Sequence, residues 1–304
     1  MNYYRDKNSP QVEKPLVSII VITYNSSKYV IETLESAKTQ TYQNIELIVS
    51  DDCSTDNTVE ICQNWIKANK GRFVNTNLIT VEENTGIAPN CNRGVKKANG
   101  QWLELVAGDD ILSNDCIEQF IIFTTELPEN TVPCCGVQNF GENNKYFCPH
   151  KFYNGSNSKD QLRTLLKHKQ GTIIIGSSYF IKKETLLLLG GYDERFTMWE
   201  DFPLFLKLTK NGFRFQFIDK PLVLYRVTAS SVSNDPTQYL KNSMEKVNKY
   251  LYYPYLKEEK LFLYLWHHLL KDKIAKNNLG VLRYFFYLID PIKLIRTFKR
   301  YIGK

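Results

Sequence analysis

The chain has 304 residues, 43% of them hydrophobic, 13% aromatic and 23% charged, a globular composition that excludes a disordered, collagen-like or low-complexity protein. The net charge of +7 is uneven: residues 241–304 hold 14 Lys+Arg against 5 Asp+Glu, and residues 1–240 hold 25 against 27. The basic surplus therefore belongs to the tail, which points it toward something anionic, while the body is nearly neutral. Residues 1–14 are polar and mixed in charge, so they do not read as a signal peptide, and no uncharged apolar run reaches about 18 residues. Seven scattered cysteines without a CxxC pair give no expectation of zinc and suit reduced thiols in a cytoplasm.

Residues 16–23 (LVSIIVIT) are a continuous, largely β-branched run, as in a strand buried on both faces. Asn25-Ser26-Ser27 supplies turn and N-cap residues, and Val30, Ile31, Leu34 and Ala37 follow at helical spacing. Residues 45–50 read as a second strand, and a polar turn then leads into a helix with Val59, Cys62 and Ile66 on one face. Residues 78–81 are a third strand, 86–98 a helix, 102–106 a fourth strand and 113–126 a helix. This alternation predicts an α/β protein with a parallel sheet. Beyond it, residues 132–152 read as short strands or loop, 172–182 as a strand, 200–210 as a helix and 213–225 as two short strands. The chain from about 236 reads as helical.

In parallel sheets ligands sit beyond the carboxyl ends of the strands. Three such ends carry polar clusters here: Thr23-Tyr24-Asn25, Asp51-Asp52 and Asp109-Asp110. A carboxylate at Asp52 could accept hydrogen bonds from a base or ribose, or it could cap the following helix, although Thr55 or Asp56 can supply that cap. Asp109-Asp110 suits a hard divalent cation, or is simply a Gly-Asp-Asp turn. Glu200-Asp201 opens a helix, where an acid either complements the helix dipole or serves as a general base.

The order of these segments resembles the family 2 glycosyltransferases. It runs from Ser18-Ile19-Ile20-Val21-Ile22-Thr23-Tyr24-Asn25 and Val49-Ser50-Asp51-Asp52 to Asn84-Thr85-Gly86, Asn92-Arg93-Gly94 and Ala98-Asn99-Gly100. It ends with Gly108-Asp109-Asp110, Gly190-Gly191-Tyr192-Asp193-Glu194 and Trp199-Glu200-Asp201. The resemblance covers roughly residues 15–235. It implies a GT-A fold, with a Rossmann-like mixed sheet, flanking helices and a C-terminal helical extension, and an inverting transfer from a nucleotide sugar, usually UDP-linked. On that pattern Thr23, Tyr24, Asn25, Asp52, Asn84, Gly86, Arg93 and Asp109 line the donor site. Asp110 is the direct ligand of Mn²⁺ or Mg²⁺, Asp201 the catalytic base, and Trp199 and Glu200 lie on the acceptor side.

The chain departs from the family pattern at Cys91, where Arg is frequent, and at Thr228, where His often follows a Tyr-Arg pair. The Gln-x-x-Arg-Trp motif of processive members is absent, so one sugar per acceptor is expected. The resulting organisation is a flexible 1–14 segment, a catalytic domain over 15–235 and a basic helical extension over 236–304. In that extension the aromatic stretches 261–270 and 281–289, followed by Lys293, Arg296, Lys299 and Arg300, suit an interfacial helix on anionic lipid. The expected partners are a UDP-sugar, a glycan or lipid-linked glycan acceptor and the inner face of a plasma membrane, with no nucleic acid. The alternative is a non-catalytic nucleotide- or carbohydrate-binding protein that keeps the fold.

Overall fold

The computed structural model describes residues 14–168, 176–228, 238–262, 264–266 and 269. Residues 1–13 and most of the tail, including the stretch 281–289 and its following cations, lie outside the described residues. The first half alternates as expected: β1 (Val17–Thr23), α1 (Val30–Lys38), β2 (Ile45–Asp51), α2 (Thr58–Asn69), β3 (Thr76–Ile79), α3 (Ile87–Lys97) and β4 (Trp102–Ala107). There follow β5 (Ile111–Leu112), α4 (Cys116–Thr124), β6 (Thr131–Gly141), β7 (Tyr146–Phe147), α5 (His150–Tyr153) and α6 (Ser158–His168). The remainder comprises β8 (Phe180–Lys182), α7 (Lys183–Leu188), α8 (Asp201–Lys210), β9 (Arg214–Val227), α9 (Gln238–Val247) and α10 (Tyr253–Glu258).

The main sheet has the order β3-β2-β1-β4-β8, with four parallel strands and β8 antiparallel at the edge. The unbroken apolar run of β1 has its cause here, because helices cover both sides of the sheet. Ile20, Ile48, Leu103 and Leu105 join one core with α3, α6, α8 and α10. Val17, Ile19, Val21, Leu47 and Val49 join the other with α1, α2 and α4. Each fully buried Val, Ile or Leu contributes about 1.5–3 kcal/mol, so these central strands fix the frame. The helix α3 presses closely on it: a Cβ on Gly94 would collide with the Ile20 side chain.

A second sheet, β5-β9-β6-β7, packs beside the first. Here the sequence reading is corrected. The region read as short strands or loop contains an 11-residue strand, β6, and the two short strands expected at 213–225 are one strand, β9. The two pair in parallel over their length, with a register shift at Gly136. Cys134-Cys135-Gly136 and Pro221 carry little β-propensity, so long-range pairing, not local preference, forms these strands. Smaller differences concern faces. On α1, Ile31 points outward and Thr33 inward; on α2, Trp65 joins Cys62 in the core, Ile66 packs against it half-buried, and Val59 is not part of it. The third strand lies two residues earlier than expected.

Glu104 stands in the middle of β4, completely buried, and neither carboxylate oxygen has a hydrogen-bond partner. Burial pushes its carboxyl well above the ordinary range, so it is held neutral. The unfolded chain loses this proton near the ordinary Glu value while the folded chain keeps it. Stability should therefore fall by about 1.4 kcal/mol for each pH unit above that value, until the folded group itself ionises. Glu104→Met is expected to remove this slope, raising Tm more at about pH 8 than at about pH 5. Thermal melts at the two pH values check it.

Candidate active site

The carboxyl ends of β1, β2 and β4 meet at one end of the main sheet, and the loops that follow are tied to one another by side chains. Thr23 donates to Asp51 Oδ2 (2.7 Å), and Asp51 also accepts from the Ser54 backbone N–H (2.8 Å) and hydroxyl (2.6 Å). Asn25, at positive φ, uses its side-chain oxygen to accept from the Thr55 N–H (2.8 Å). Asp56 accepts from the Thr58 N–H (2.9 Å) and so caps α2. The capping task thus falls to Asp56, and Asp52 is left for another. Tyr24 is half exposed at the rim, available to a planar ligand.

Asp52 faces the segment before α3. Its carboxylate accepts from the Thr85 N–H (3.0 Å) and hydroxyl (2.7 Å), the Gly86 N–H (2.7 Å) and Arg93 Nη2 (2.5 Å). Burial pushes Asp52 up, but these donors outweigh it and hold the carboxyl below its usual range. Asn84 Nδ2 donates to the Asp52 carbonyl (3.2 Å). Gly86 has φ 97°, and a Cβ there would stand 2.8 Å from Thr197 Cβ, so both conformation and packing require glycine. Arg93 therefore brings a cation to this end of the site, two residues beyond the position where Cys91 lies buried.

Asp109 and Asp110 follow β4. Asp110 is buried, and its oxygens accept from the Ser177 hydroxyl (3.0 Å) and the Arg226 N–H (3.0 Å). Burial, reinforced by the charge of Asp109, pushes Asp110 up to about 8. The Arg226 side chain lies over the Tyr29 and Phe140 rings (4.1 and 4.3 Å to the centroids), and bonds the Asp109 carbonyl and Glu32. Two adjacent carboxyls with this little compensation fit a divalent cation. The hard oxygen donors suit Mg²⁺ or Mn²⁺, whose charge would offset the repulsion.

Glu200 and Asp201 open α8. Asp201 Oδ1 accepts from the Phe202 N–H (2.5 Å). Burial, then the charge of Asp201, pushes Glu200 up to about 8, and burial pushes Asp201 up to about 6. The Cys91 thiol, raised first by burial and then by Glu200 and Asp201, is neutral and does nothing to offset them. A Cβ on Gly176 would stand 3.4 Å from Glu200 Oε1 and 3.9 Å from Asp201 Oδ2, while the next residue, Ser177, holds Asp110. One tight turn thus joins the two carboxyl pairs. Nearby, Trp199 Nε1 is buried without a hydrogen-bond partner. Asn92 fastens the Gly-Gly-Tyr segment leading to this corner: it accepts from the Tyr192 N–H (2.9 Å) and donates to the Tyr192 carbonyl (2.9 Å).

The sequence reading missed Ser177 and undervalued Arg226. Neither carries a local signal: Ser177 lies in the run 172–182 read as a strand, where residues 176–178 instead form a turn and only 180–182 are strand, and Arg226 gains its role only when β9 pairs beside β5. A separate groove lined by Trp102, Lys182, Leu187 and Leu188 lies at the amino end of β4, away from these strand ends.

The family model "Glycosyl transferase family 2" matches residues 18–187. The chain belongs to this family. It is 28% identical over 228 residues to the uncharacterized glycosyltransferase EpsJ of Bacillus subtilis, covering 73% of this chain and 64% of that one. Over 104 residues it is 39% identical to glycosyltransferase GlyG of Streptococcus pneumoniae, 34% of this chain and 33% of the other. Over 113 residues it is 34% identical to the putative teichuronic acid biosynthesis glycosyltransferase TuaG of B. subtilis, 37% of this chain and 43% of that one. The chain thus spans between about a third and under two-thirds of these relatives' lengths. Among solved structures, S. aureus TarS 1-349 in complex with UDP-GlcNAc superposes with a TM-score of 0.65 at 19% identity, covering 88% of this chain and 75% of that one. That likeness shows the fold, a GT-A mixed α/β architecture.

Asp52→Asn removes the charge that balances Arg93 and mismatches the donors of Thr85 and Gly86. It is expected to lower stability by about 1–3 kcal/mol at about pH 7. The carboxyl is depressed in the folded state, so its contribution is present above the ordinary Asp value and lost as pH falls through the lowered one. The variant's deficit should therefore shrink toward low pH. Urea unfolding at about pH 7 and about pH 2.5, below the ordinary Asp value, measures both.

Proposed function

We propose that the protein is an inverting, non-processive glycosyltransferase that moves a sugar from a UDP-sugar to a hydroxyl of a glycan acceptor, lipid-linked in the cell, during surface-polysaccharide synthesis. One observation carries the reading: the Asp109-Asp110 and Glu200-Asp201 pairs meet across the Gly176–Ser177 turn at the carboxyl end of a GT-A sheet. Family membership, the TarS complexes with UDP-GlcNAc and UDP, and relatives named for polysaccharide synthesis support it.

In this mechanism Asp201 accepts the proton of the acceptor hydroxyl. The oxygen attacks the anomeric carbon from the face opposite the diphosphate. A new C–O bond forms as the bond to the diphosphate oxygen breaks, its electron pair leaves with UDP, and configuration inverts. Asp201, pushed up to about 6, is ionised at neutral pH yet basic enough to take a proton. Glu200, higher still, retains its proton and so spares Asp201 a second adjacent charge. Thr23, Tyr24, Asn25, Asp52, Asn84, Gly86 and Arg93 hold the nucleoside and its ribose, and Trp199 shapes the acceptor side. Asp109 and Asp110 would hold Mn²⁺ or Mg²⁺, Asp110 as a direct ligand, and the cation would neutralise the departing diphosphate. The basic, aromatic tail is read as an attachment to an anionic membrane surface; no helix among the described residues is long and apolar enough to cross a membrane. With Arg93 already on Asp52, the absence of Arg at 91 does not favour the non-catalytic alternative.

Asp201→Asn is expected to fold normally, bind UDP as before and lose about 10²–10⁴-fold in transfer rate. In the unsubstituted enzyme, kcat/KM should rise with pH through about 6 as Asp201 loses its proton. Transfer assays across pH with UDP-sugars, alongside UDP calorimetry, test both; unimpaired transfer by the variant would overturn the assignment.

Asp110→Asn should abolish the part of UDP affinity that depends on Mn²⁺, leaving binding measured in EDTA little changed. Calorimetric titration of UDP with and without the cation reads the difference.

A further inference from the structure

A second constellation lies outside these strand ends, where β7, α5 and β9 meet. Cys148 follows β7, His150 opens α5, and Asp219 comes from β9. One ligand atom of each, Cys148 Sγ, a His150 ring nitrogen and an Asp219 oxygen, lies within 4.8 Å of the other two. His150 Nδ1 is enclosed without a hydrogen-bond partner and stands 3.7 Å from Asp219 Oδ2. The other Asp219 oxygen accepts from the Tyr146 hydroxyl (2.6 Å).

The placement of Asp219 is built into the sheet. In the β6–β9 ladder Cys135 pairs with Ile218 and Gly136 with Pro221, so Asp219 and Lys220 bulge from β9 between them. A bulge re-aims side chains, and bulges recur beside functional sites. Lys220 turns to Gln119 (2.8 Å). The backing is also fixed: Asn154, after α5, donates to the Phe217 carbonyl (3.0 Å) and accepts from its N–H (2.7 Å).

We propose that Cys148, His150 and Asp219 form a binding site for a zinc-class divalent cation, distinct from the Asp109-Asp110 pair, with Tyr146 orienting the carboxylate. Thiolate, imidazole and carboxylate together are the donors of a borderline-soft ion, not of Mg²⁺. Metal–ligand bonds of about 2.0–2.3 Å at tetrahedral angles separate ligand atoms by roughly 3.3–3.7 Å. The His150–Asp219 distance already meets this, and closing the rest requires side-chain adjustment of about 1 Å at a partly exposed corner. On binding, Cys148 releases its thiol proton to solvent and its sulfur donates a lone pair; no oxidation state changes. The fourth position stays open to water. The ion would staple β7, α5 and β9, with the bulge supplying the third ligand. The absence of a CxxC pair hid the site, because its third ligand lies some seventy residues from the Cys-x-His pair.

The full-length protein, stripped with EDTA and reduced, is titrated with Co²⁺ and then Zn²⁺. The expected result is one equivalent of Co²⁺ giving a thiolate-to-metal charge-transfer band with intense tetrahedral visible bands, displaced by Zn²⁺. Cys148→Ser and His150→Gln should lose the band, Asp219→Asn should weaken binding, and Tyr146→Phe should weaken it about 10–100-fold. Cys53→Ser, which removes another partly exposed thiol, should leave it unchanged. Circular dichroism confirms that each variant is folded. Absence of a thiolate band, or a band that survives Cys148→Ser and His150→Gln in folded protein, would overturn the proposal. Mn²⁺ or Mg²⁺ at Asp109-Asp110 produces no such band, so the two sites are read separately.

Discussion

Four carboxyl groups gathered at one end of a parallel sheet, Asp110 buried and Asp109, Glu200 and Asp201 half-buried, are the constraint around which this molecule is arranged. Asp109 and Asp110 repel each other at the end of β4, as do Glu200 and Asp201 at the start of α8, and the described neighbourhood supplies little positive charge to offset them. Arg226 is the cation nearest Asp110 in effect, yet its guanidinium is spent on the Asp109 carbonyl and on Glu32. Desolvation, with the charge of Asp109 beside Asp110 and of Asp201 beside Glu200, raises the proton affinities of these carboxyls. Asp110 and Glu200 therefore favour the protonated form, while Asp201, raised less, is ionised at neutral pH. On the proposed reading, one pair takes up a cation and the other a proton, as displacement of a diphosphate by a hydroxyl would require.

Asp52 shows the opposite outcome from the same burial. It receives four hydrogen bonds, one from Arg93, and remains an anion. The difference lies in what faces each carboxylate: backbone N–H groups and a guanidinium at the end of β2, a like charge at the end of β4. Burial alone therefore does not determine the state of an acid in this chain. Glu104, buried with no partner at all, marks the far limit, a carboxyl that is neutral because nothing in the core can pay its ionic form.

The frame that holds these groups is rigid where it must be. β1 and β2 run between two apolar cores, so their ends are fixed, and the loops beyond are cross-linked by Asn25, Asp51, Asp56 and Asn92. Several residues of these segments act as fasteners. Gly94 allows α3 to approach β1, Gly86 fits beneath Thr197, and Glu46 accepts from Asn99 and Ser18 to close the amino end of the sheet.

The sequence by itself determined the parallel α/β half, the three polar strand ends and the family, because these rest on local patterns: an unbroken apolar run, helical spacing, and acids placed after strands. It also indicated that Asp56 could cap α2 and so release Asp52. What only the tertiary structure decided are properties of contact between distant segments. The pairing of β6 with β9 overrides the weak strand propensity of Cys134-Cys135-Gly136, and the antiparallel pairing of β5 with β9, Ile111 opposite Leu224, delivers the Arg226 N–H to Asp110. The Gly176–Ser177 turn joins two carboxyl pairs about ninety residues apart in sequence, which no periodicity encodes. Proton affinity belongs to the same class, since Asp52, Asp110 and Asp201 are one residue type and differ only in what the fold packs against them.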